Sequence, residues 1–215
     1  MTDPAPRRSP PVPHFGRRTE EAFAYALAAH GAQVRKGGPV PYVSHLLAVA
    51  SIVIEDGGDE DQVVSALLHD AVEDQGGEPR LEDIVHRFGE RVAEIVRACS
   101  DSLNEDPRDK APWADRKAAY LARLAEESDE GILRVSLGDK LHNARAIASD
   151  AAADPGAWGR FNAPPDRIAA YYRACHEVLA RRLPRSRFLP DLALAVERLE
   201  ALADEETSRR GPRPA

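Results

Sequence analysis

Apolar residues recur at helical spacing along most of this chain, and this pattern constrains the fold more than any other feature. Between residues 19 and 205 the pattern is interrupted only by Gly, Pro and clusters of charge. No segment of useful length alternates between apolar and polar residues, and no internal repeat is visible. The pattern therefore predicts an all-α helical bundle, with helices over residues 19–34, 43–56, 59–73, 81–87, 90–103, 113–127, 129–148, 165–183 and 190–205.

Length and composition predict one domain with short tails. A chain of 215 residues is long enough to bury a sizeable core without disulfides. Residues 1–18 and 206–215 contain almost no large apolar side chains, so we expect flexible tails on either side of a domain at 19–205. Cys99 and Cys175 are isolated, which indicates neither a disulfide framework nor a zinc knuckle.

Charge and hydropathy limit the partners that the chain can have. No stretch approaches 18 uncharged apolar residues and residues 1–18 lack an apolar leader segment, so we expect a cytoplasmic protein with no membrane partner. A formal net charge of −7 disfavours general nucleic-acid binding, which needs a basic face. A local cluster of Lys and Arg can still hold a small anion. The apolar face of the helix at 190–205 could pair with a second copy, which leaves a homo-oligomer open.

The dipeptide His69-Asp70 is the strongest chemical signal in the sequence. An imidazole and a carboxylate together can hold a divalent ion that polarises a phosphate or activates water. Glu73 and Asp74 follow at once, and on a continuous helix all four polar groups would line one wall of a cleft. The preceding residues are apolar, so this helix end should be buried. Since a buried carboxylate is costly unless paired, a cation there would relieve the cost.

Two distant residues complete an ordered H…HD…D set. His45 ends the stretch PYVSH, and Asp139 lies in VSLGDKLHNAR. A single HD dipeptide is common by chance, and a lone His45 would more often be a cap or a core imidazole. The ordered set is far more specific than its parts. His142, beside Asp139 in sequence, is expected to pack or hydrogen-bond near the site without ligating metal.

This set resembles the signature of the HD-domain metal-dependent phosphohydrolases. Residues about 20–183 are similar to the hydrolase domain of the RelA/SpoT alarmone enzymes, and most of all to stand-alone small alarmone hydrolases related to the metazoan SpoT homologue. The resemblance implies an HD-domain helical bundle that removes the 3′-pyrophosphate of ppGpp or pppGpp with manganese, and a hydrolase without a synthetase domain. The matching stretches, in the family's order, are AHGAQVRKGGPVPYVSHLLAVA, ALLHDAVEDQ, FGERVAEIV, DRKAAYL and VSLGDKLHNAR.

The resemblance also implies a role for each motif residue. Glu73 and Asp74 would position and deprotonate the attacking water. Arg35 and Lys36 would flank the nucleotide base. Gln75 stands where the family commonly has Thr or Ser, and Gly138 stands where it commonly has Ala. The implied manganese ligands are His45, His69, Asp70 and Asp139, and the implied contacts to phosphate or ribose are Lys117, Asn143, Arg167 and Tyr171.

Several functions remain open at this point. The same metal site could serve an HD-type phosphohydrolase that acts on ppApp, a nucleoside monophosphate or NADPH, because a guanidinium stacks on any purine. A non-catalytic nucleotide sensor is a second alternative, although loss of a ligand or of the Glu73-Asp74 pair would be expected for it. An interaction scaffold is a third alternative, and it leaves the metal set unexplained.

Overall fold

The computed structural model describes residues 14–101 and 111–210, and these residues form an all-α fold as predicted. A single antiparallel bridge, between Val34 and Pro41, is the extent of β-structure in the two described segments. No helix in those segments is long and apolar enough to cross a bilayer. The α-helices are α1 (Arg17–His30), α2 (Val43–Glu55), α3 (Glu60–Leu68), α4 (Ala71–Gln75), α5 (Gly77–Phe88), α6 (Glu90–Cys99), α7 (Trp113–Glu126), α8 (Glu130–Ala153), α9 (Pro165–Arg182) and α10 (Leu189–Arg210), with a 3₁₀ helix at Pro155–Arg160.

Two predicted boundaries near the motifs are wrong. The helix predicted at 59–73 is two helices, because the chain turns at His69 and Asp70 between α3 and α4. The loop predicted after Gly76 is instead the start of α5. Gly76 (φ 137°) and Gly77 (φ 56°) occupy the left-handed region, which lets the chain reverse there. Pro79 lies in the first turn of α5, where its missing N–H leaves no helical hydrogen bond unmade.

The ends of the domain also differ from the prediction. α1 stops at His30, four residues early, and residues 31–42 form turns and the bridge, in keeping with the Gly and Pro residues of that segment. α10 continues to Arg210, so residues 206–210 are helical although they were expected to belong to a tail. Glu206 within them is buried. Arg17 and Arg18, also expected to belong to a tail, are the first residues of α1. Residues 1–13 and 211–215 of the predicted tails lie outside the described residues.

The hydrophobic core has two parts that share α8. One part is built from α1 to α6, and the other from α7, α8, α9 and α10. Leu133, Leu137 and Leu141 of α8 belong to the second part, whereas Val135 belongs to the first. A helix that is buried on both faces is apolar nearly all round. α8 therefore carries Asp139 between the two parts of the core.

A close approach of α8 to α2 depends on Gly138. A Cβ at this position would lie 3.2 Å from Val49 Cγ1 and 3.4 Å from the Val49 carbonyl oxygen. The glycine, at a position where the resembling family commonly has Ala, thus lets the two helices pack tightly. Since Asp139 follows Gly138 and His45 precedes Val49 by one helical turn, this contact brings two predicted ligands together.

The turn between α2 and α3 positions the two predicted histidine ligands, His45 and His69. Gly58 N donates to the Val53 carbonyl (2.8 Å), which closes the end of α2. Asp59 then caps α3 by accepting from Gln62 N at 3.0 Å. α2 and α3 consequently run side by side, with His45 on the first helix and His69 at the end of the second.

We predict that Gly58→Ala destabilises the fold. A Cβ at Gly58 would lie 2.5 Å from Val53 Cγ1 and 2.8 Å from the Val53 carbonyl oxygen, so the turn would have to shift. The expected loss in the free energy of unfolding is about 1–3 kcal/mol, measured by denaturant unfolding. Gly159→Ala is the matched control, because nothing lies within 4 Å of its added Cβ. Equal stability of the two variants would contradict the role given to this turn.

Candidate metal centre and active site

The four predicted ligands converge at the junction of α2, α3, α4 and α8. Ligand atoms of His45, His69 and Asp70 all lie within 4.8 Å of one another. Asp139 Oδ1 lies 3.3 Å from His45 Nε2 and 3.7 Å from His69 Nε2. Both imidazoles are buried and Asp139 is nearly so. The structure therefore brings together the residues whose ligand role was predicted from sequence.

Neighbouring groups set the orientation of the two imidazoles. His69 Nδ1 lies 2.8 Å from the Ala66 carbonyl oxygen, which can only accept, so Nδ1 carries a proton and Nε2 faces the site. His45 Nδ1 lies 2.7 Å from His142 Nδ1. Burial, followed by the charge of His45, lowers the pKa of His142 to about 4, so His142 is neutral. Its Nδ1 can therefore accept a hydrogen bond from His45 Nδ1–H. Both Nε2 atoms are then available as ligands, as is usual for metal-binding histidines.

The two carboxylates are also held by neighbours. Tyr42 Oη donates to Asp70 Oδ2 at 2.6 Å, and Lys140 Nζ donates to Asp139 Oδ2 at 2.5 Å. Asn143 Nδ2 donates to Asp139 Oδ1. These bonds fix the carboxylate planes before any ligand arrives. His142 thus packs and hydrogen-bonds beside the site, as predicted.

The charge of this cluster favours a cation. Burial disfavours the imidazolium form of His69, yet the carboxylates of Asp70 and Asp139 raise its pKa well above the usual value. Despite their own burial, the pKa values of Asp70 and Asp139 are well below the usual range, because of His69 beside Asp70 and Lys140 beside Asp139. The same negative potential suits a divalent metal ion. Two imidazole nitrogens and the oxygens of two carboxylates lie at close range and could serve as its ligands.

A cavity of ≈ 510 Å³ opens beside the four ligands, within the range of small-molecule sites. Asp70 and Asp139 lie on its wall, and so do Glu73 and Asp74. Residues from both parts of the core contribute to the lining. The lining also includes most of the predicted substrate contacts: Arg35, Lys36, Lys117, Asn143 and Tyr171.

Glu73 belongs to a cluster of charge on one wall of this cavity. Its Oε2 accepts from the Asp101 backbone N at 3.2 Å, and Arg116 Nη1 lies 3.9 Å from Oε1. Asp101 in turn accepts from Lys117 Nζ at 2.6 Å. Burial, then the charges of Asp101 and Asp70, raises the pKa of Glu73 to about 7. A carboxylate with such a pKa suits proton transfer at neutral pH.

Asp74 is held from the other side by two amide side chains. Gln33 Nε2 donates to Asp74 Oδ2 at 2.9 Å, and Gln75 Nε2 donates to Gln33 Oε1 at 2.7 Å. Gln75, at a position where the resembling family commonly has Thr or Ser, thereby fixes Gln33. The hydrogen bonds described for Glu73 and Asp74 thus involve different residues.

The predicted base-binding residues lie in the turn at 31–42. The Arg35 guanidinium lies 5.6 Å from the Tyr42 ring centroid and donates to Asn143 Oδ1 at 2.7 Å. Arg160, in the 3₁₀ helix, packs over Gly37 so closely that a Cβ there would lie 2.1 Å from its Nε. Gly37 (φ 91°) thus leaves room for Arg160 to pack against this turn.

Lys117 and Arg167 differ in how the structure places them. Lys117 Nζ lies 5.1 Å from the Tyr171 ring centroid, on the cavity wall. Arg167 is exposed on the first turn of α9 and is not among the lining residues, because that turn directs Ile168 inward instead. Its predicted phosphate contact therefore stays a prediction.

Sequence reasoning missed Asp101, Tyr42 and Gln33 as parts of the site. Asp101 lies outside the matching stretches, whereas Gln33, like Tyr42, lies inside one. Each of the three acts on another side chain, and only the fold brings it near that side chain. Asp101 was also expected inside the helix predicted at 90–103, whereas α6 ends at Cys99 and Asp101 lies beyond it. Tyr42 lay inside a matching motif but was assigned no role.

Comparison with known proteins places these motifs among relatives. The chain is 33% identical over 138 residues to the bifunctional (p)ppGpp synthase/hydrolase SpoT of Escherichia coli K12, covering 62% of this chain and 18% of that protein. It is 33% identical over 139 residues to a guanosine-3′,5′-bis(diphosphate) 3′-pyrophosphohydrolase of Aquifex aeolicus, covering 62% and 19%. The chain thus spans about a fifth of the length of these curated relatives. The predicted resemblance to the RelA/SpoT enzymes is confirmed.

Solved structures share the fold. A metazoan SpoT orthologue described as hydrolysing ppGpp matches with a TM-score of 0.62 at 23% identity, covering 92% of this chain and 98% of that one. The structure of lmo0812 from Listeria monocytogenes EGD-e matches with a TM-score of 0.61 at 26% identity, covering 74% and 98%. The family model described as HD domain matches residues 22–158, a span that contains all four predicted ligands. The chain belongs to the HD-domain family.

Proposed function

We propose that this protein hydrolyses the 3′-diphosphate of ppGpp or pppGpp, giving GDP or GTP and pyrophosphate. The observation that carries the proposal is the junction of the buried H…HD…D cluster with a nucleotide-sized cavity whose wall holds Glu73. Relatives named as ppGpp hydrolases support the choice of substrate. A cytoplasmic location, where such nucleotides occur, belongs to the same proposal.

The proposed metal is manganese, and its proposed ligands are His45, His69, Asp70 and Asp139. This set of nitrogen and oxygen donors without thiolate suits manganese better than a soft metal. A divalent ion, when bound, supplies Lewis-acid stabilisation of charge on the phosphate and makes water more acidic.

Glu73 is assigned as the general base. Its carboxylate takes a proton from the water that attacks the phosphorus attached to the ribose 3′-oxygen, and the bond from that phosphorus to the 3′-oxygen breaks. Glu73 returns this proton to the 3′-oxygen, which becomes the hydroxyl of GDP or GTP, while the diphosphate, now bearing the oxygen of water, is released as pyrophosphate. Asp74, held by Gln33, orients the water beside Glu73. These roles fit the different neighbours of the two carboxylates.

Substrate binding is assigned to the two ends of the cavity. Arg35, beside Tyr42, offers a planar cation on which a purine base can stack, and Lys36 lies next to it. Lys117, beside Glu73 and Asp101, offers a cation for the diphosphate. Tyr171 lies beneath Lys117, and Asn143 lies between the base end and Asp139.

We predict that the wild-type protein prefers ppGpp among purine nucleotides. The test measures kcat/KM for ppGpp, ppApp, GMP and NADPH and identifies the products by chromatography and mass spectrometry. Release of GDP and pyrophosphate from ppGpp, at a kcat/KM well above that for GMP, is expected. A kcat/KM for ppGpp no higher than that for GMP would instead assign the site to a general HD-type nucleotidase. Tight nucleotide binding without any product would favour the sensor alternative.

We predict that activity depends on a divalent metal and is highest with Mn²⁺. Protein treated with a chelator should lose nearly all activity, and added Mn²⁺ should restore it better than Mg²⁺ or Zn²⁺. His69→Ala should lower the bound metal measured by plasma mass spectrometry while the helical circular-dichroism signal persists. His86→Ala, a histidine on α5 outside the cavity, is the control. Full turnover in excess chelator would contradict the assignment.

We predict that Glu73→Gln separates catalysis from metal binding. The substitution keeps the shape of the side chain and removes the base, so kcat should fall roughly 10²–10⁴-fold. Metal content should stay at the wild-type level. Glu78→Gln is the control, because Glu78 is an exposed glutamate paired with Arg97 on α6. Loss of metal in Glu73→Gln would place Glu73 among the ligands, and unchanged kcat would remove it from the reaction.

A further inference from the structure

Asp101 is a buried carboxylate to which the proposed reaction gives no role. It directly follows Ser100, the residue that ends α6, and its side chain is only 4% exposed. A carboxylate removed from water in this way is costly unless cations and hydrogen bonds satisfy it. The neighbours that satisfy Asp101 therefore indicate why it is there.

Asp101 joins α7 to Glu73 through three contacts. Its Oδ2 accepts from Lys117 Nζ at 2.6 Å, and its Oδ1 accepts from Arg116 Nη1. Its backbone N donates to Glu73 Oε2 at 3.2 Å. One residue thus contacts both the proposed general base and the proposed diphosphate-binding cation.

The two cations on α7 have different positions. Arg116 also donates through Nε to the Ala111 carbonyl at 3.1 Å, which ties it to the start of α7. Lys117 lies on the cavity wall between Asp101 and the Tyr171 ring. A lysine side chain has four rotatable bonds, and without such partners it would sample many positions in the cavity. The contacts with Asp101 and Tyr171 restrict it to one region.

The charges of the cluster also support this arrangement. Asp101 is buried, which disfavours its charge, but Lys117 and Arg116 hold its pKa at about 2, so it stays ionised at neutral pH. Two cations therefore lie against one permanent carboxylate, which fixes where their charge is held relative to Glu73. A neutral residue at 101 would leave both cations without this partner.

We propose that Asp101 is a positioning residue that holds Lys117 beside Glu73, so that the diphosphate meets its cation at a fixed distance from the general base. The inference rests on the proposed function for the role of Lys117. It goes beyond that function because it assigns a role to Asp101. The contacts described here for Asp101 include neither the predicted metal ligands nor the predicted base-binding residues.

The test is a double-mutant cycle with Asp101→Asn, Lys117→Met and the double variant. If Asp101 acts through Lys117, Asp101→Asn should lower kcat/KM for ppGpp about 10–100-fold, the loss typical of a hydrogen bond to a charged group. The double variant should then lie within about threefold of Lys117→Met, because the second change removes nothing further. Effects that multiply, or an unchanged kcat/KM in Asp101→Asn, would overturn the inference.

A matched control separates positioning from stability. Asp56 is equally buried (3% exposed side chain) and is paired with Arg134, but it lies in the turn after α2 and does not line the cavity. Asp56→Asn should lower the free energy of unfolding and leave kcat/KM per folded molecule unchanged. A loss of kcat/KM as large as that of Asp101→Asn would show that removal of any buried carboxylate impairs the site, and would overturn the inference.

Two further arms keep the result decisive. Asp101→Glu retains the buried charge if Asp101→Asn fails to fold, and it should lower kcat/KM only when Lys117 is present.

Calorimetric binding of inorganic pyrophosphate tests the inference without turnover. Lys117→Met should weaken binding in the wild-type background but not in Asp101→Asn. Absence of ppGpp hydrolysis with this binding pattern intact would refute the proposed substrate alone. Absence of pyrophosphate binding by the wild type would overturn the inference.

Discussion

The desolvation of Asp70 and Asp139 is the constraint on which the rest of the structure depends. Asp139 is buried and Asp70 is half-buried beside it. Two such carboxylates repel each other and lose hydration, so the fold must supply compensating groups. His45, His69 and Tyr42 all lie at Oδ2 of Asp70. At Asp139 the two histidines lie at Oδ1, and Lys140 donates to Oδ2. These partners come from α2, α3, α8 and the residue that precedes α2. The tight turn at Gly58 and the close approach at Gly138 are needed because the cluster tolerates little displacement.

Much of the fold could be predicted, since helical periodicity reports burial on one face of each element. The all-α class and the central part of most helices follow from it. The helix boundaries near the site could not be predicted, because the local sequence there favours a different backbone conformation from the one in the fold. Gly76 and Gly77 look like a loop, yet their left-handed backbone allows α5 to start at once. The chain also turns at His69-Asp70, where the sequence indicates continuous helix, and this turn directs Asp70 to the cavity.

The candidate site was predictable to the extent that its residues lie in motifs. The four ligands, Glu73 and Asp74 stand in matching stretches, and the structure brings them together. Asp101 was missed because its significance depends on Lys117 and Glu73, which are distant in sequence and meet only in the fold. Arg167 is exposed on the first turn of α9, so its predicted contact stays a prediction.

One chain of hydrogen bonds links the base end of the cavity to the metal cluster. Arg35 donates to Asn143 Oδ1, and Asn143 donates to Asp139, which is a predicted ligand. A base that stacks on Arg35 would therefore restrict the same guanidinium that orients Asn143. Since Asn143 and Lys140 bind opposite oxygens of Asp139, a shift of Asn143 would tilt that carboxylate relative to His45. If Arg35 binds the base and Asp139 a metal, as proposed, these hydrogen bonds couple base recognition to the geometry of the proposed ligands. Substitutions at the base end should affect turnover as well as binding.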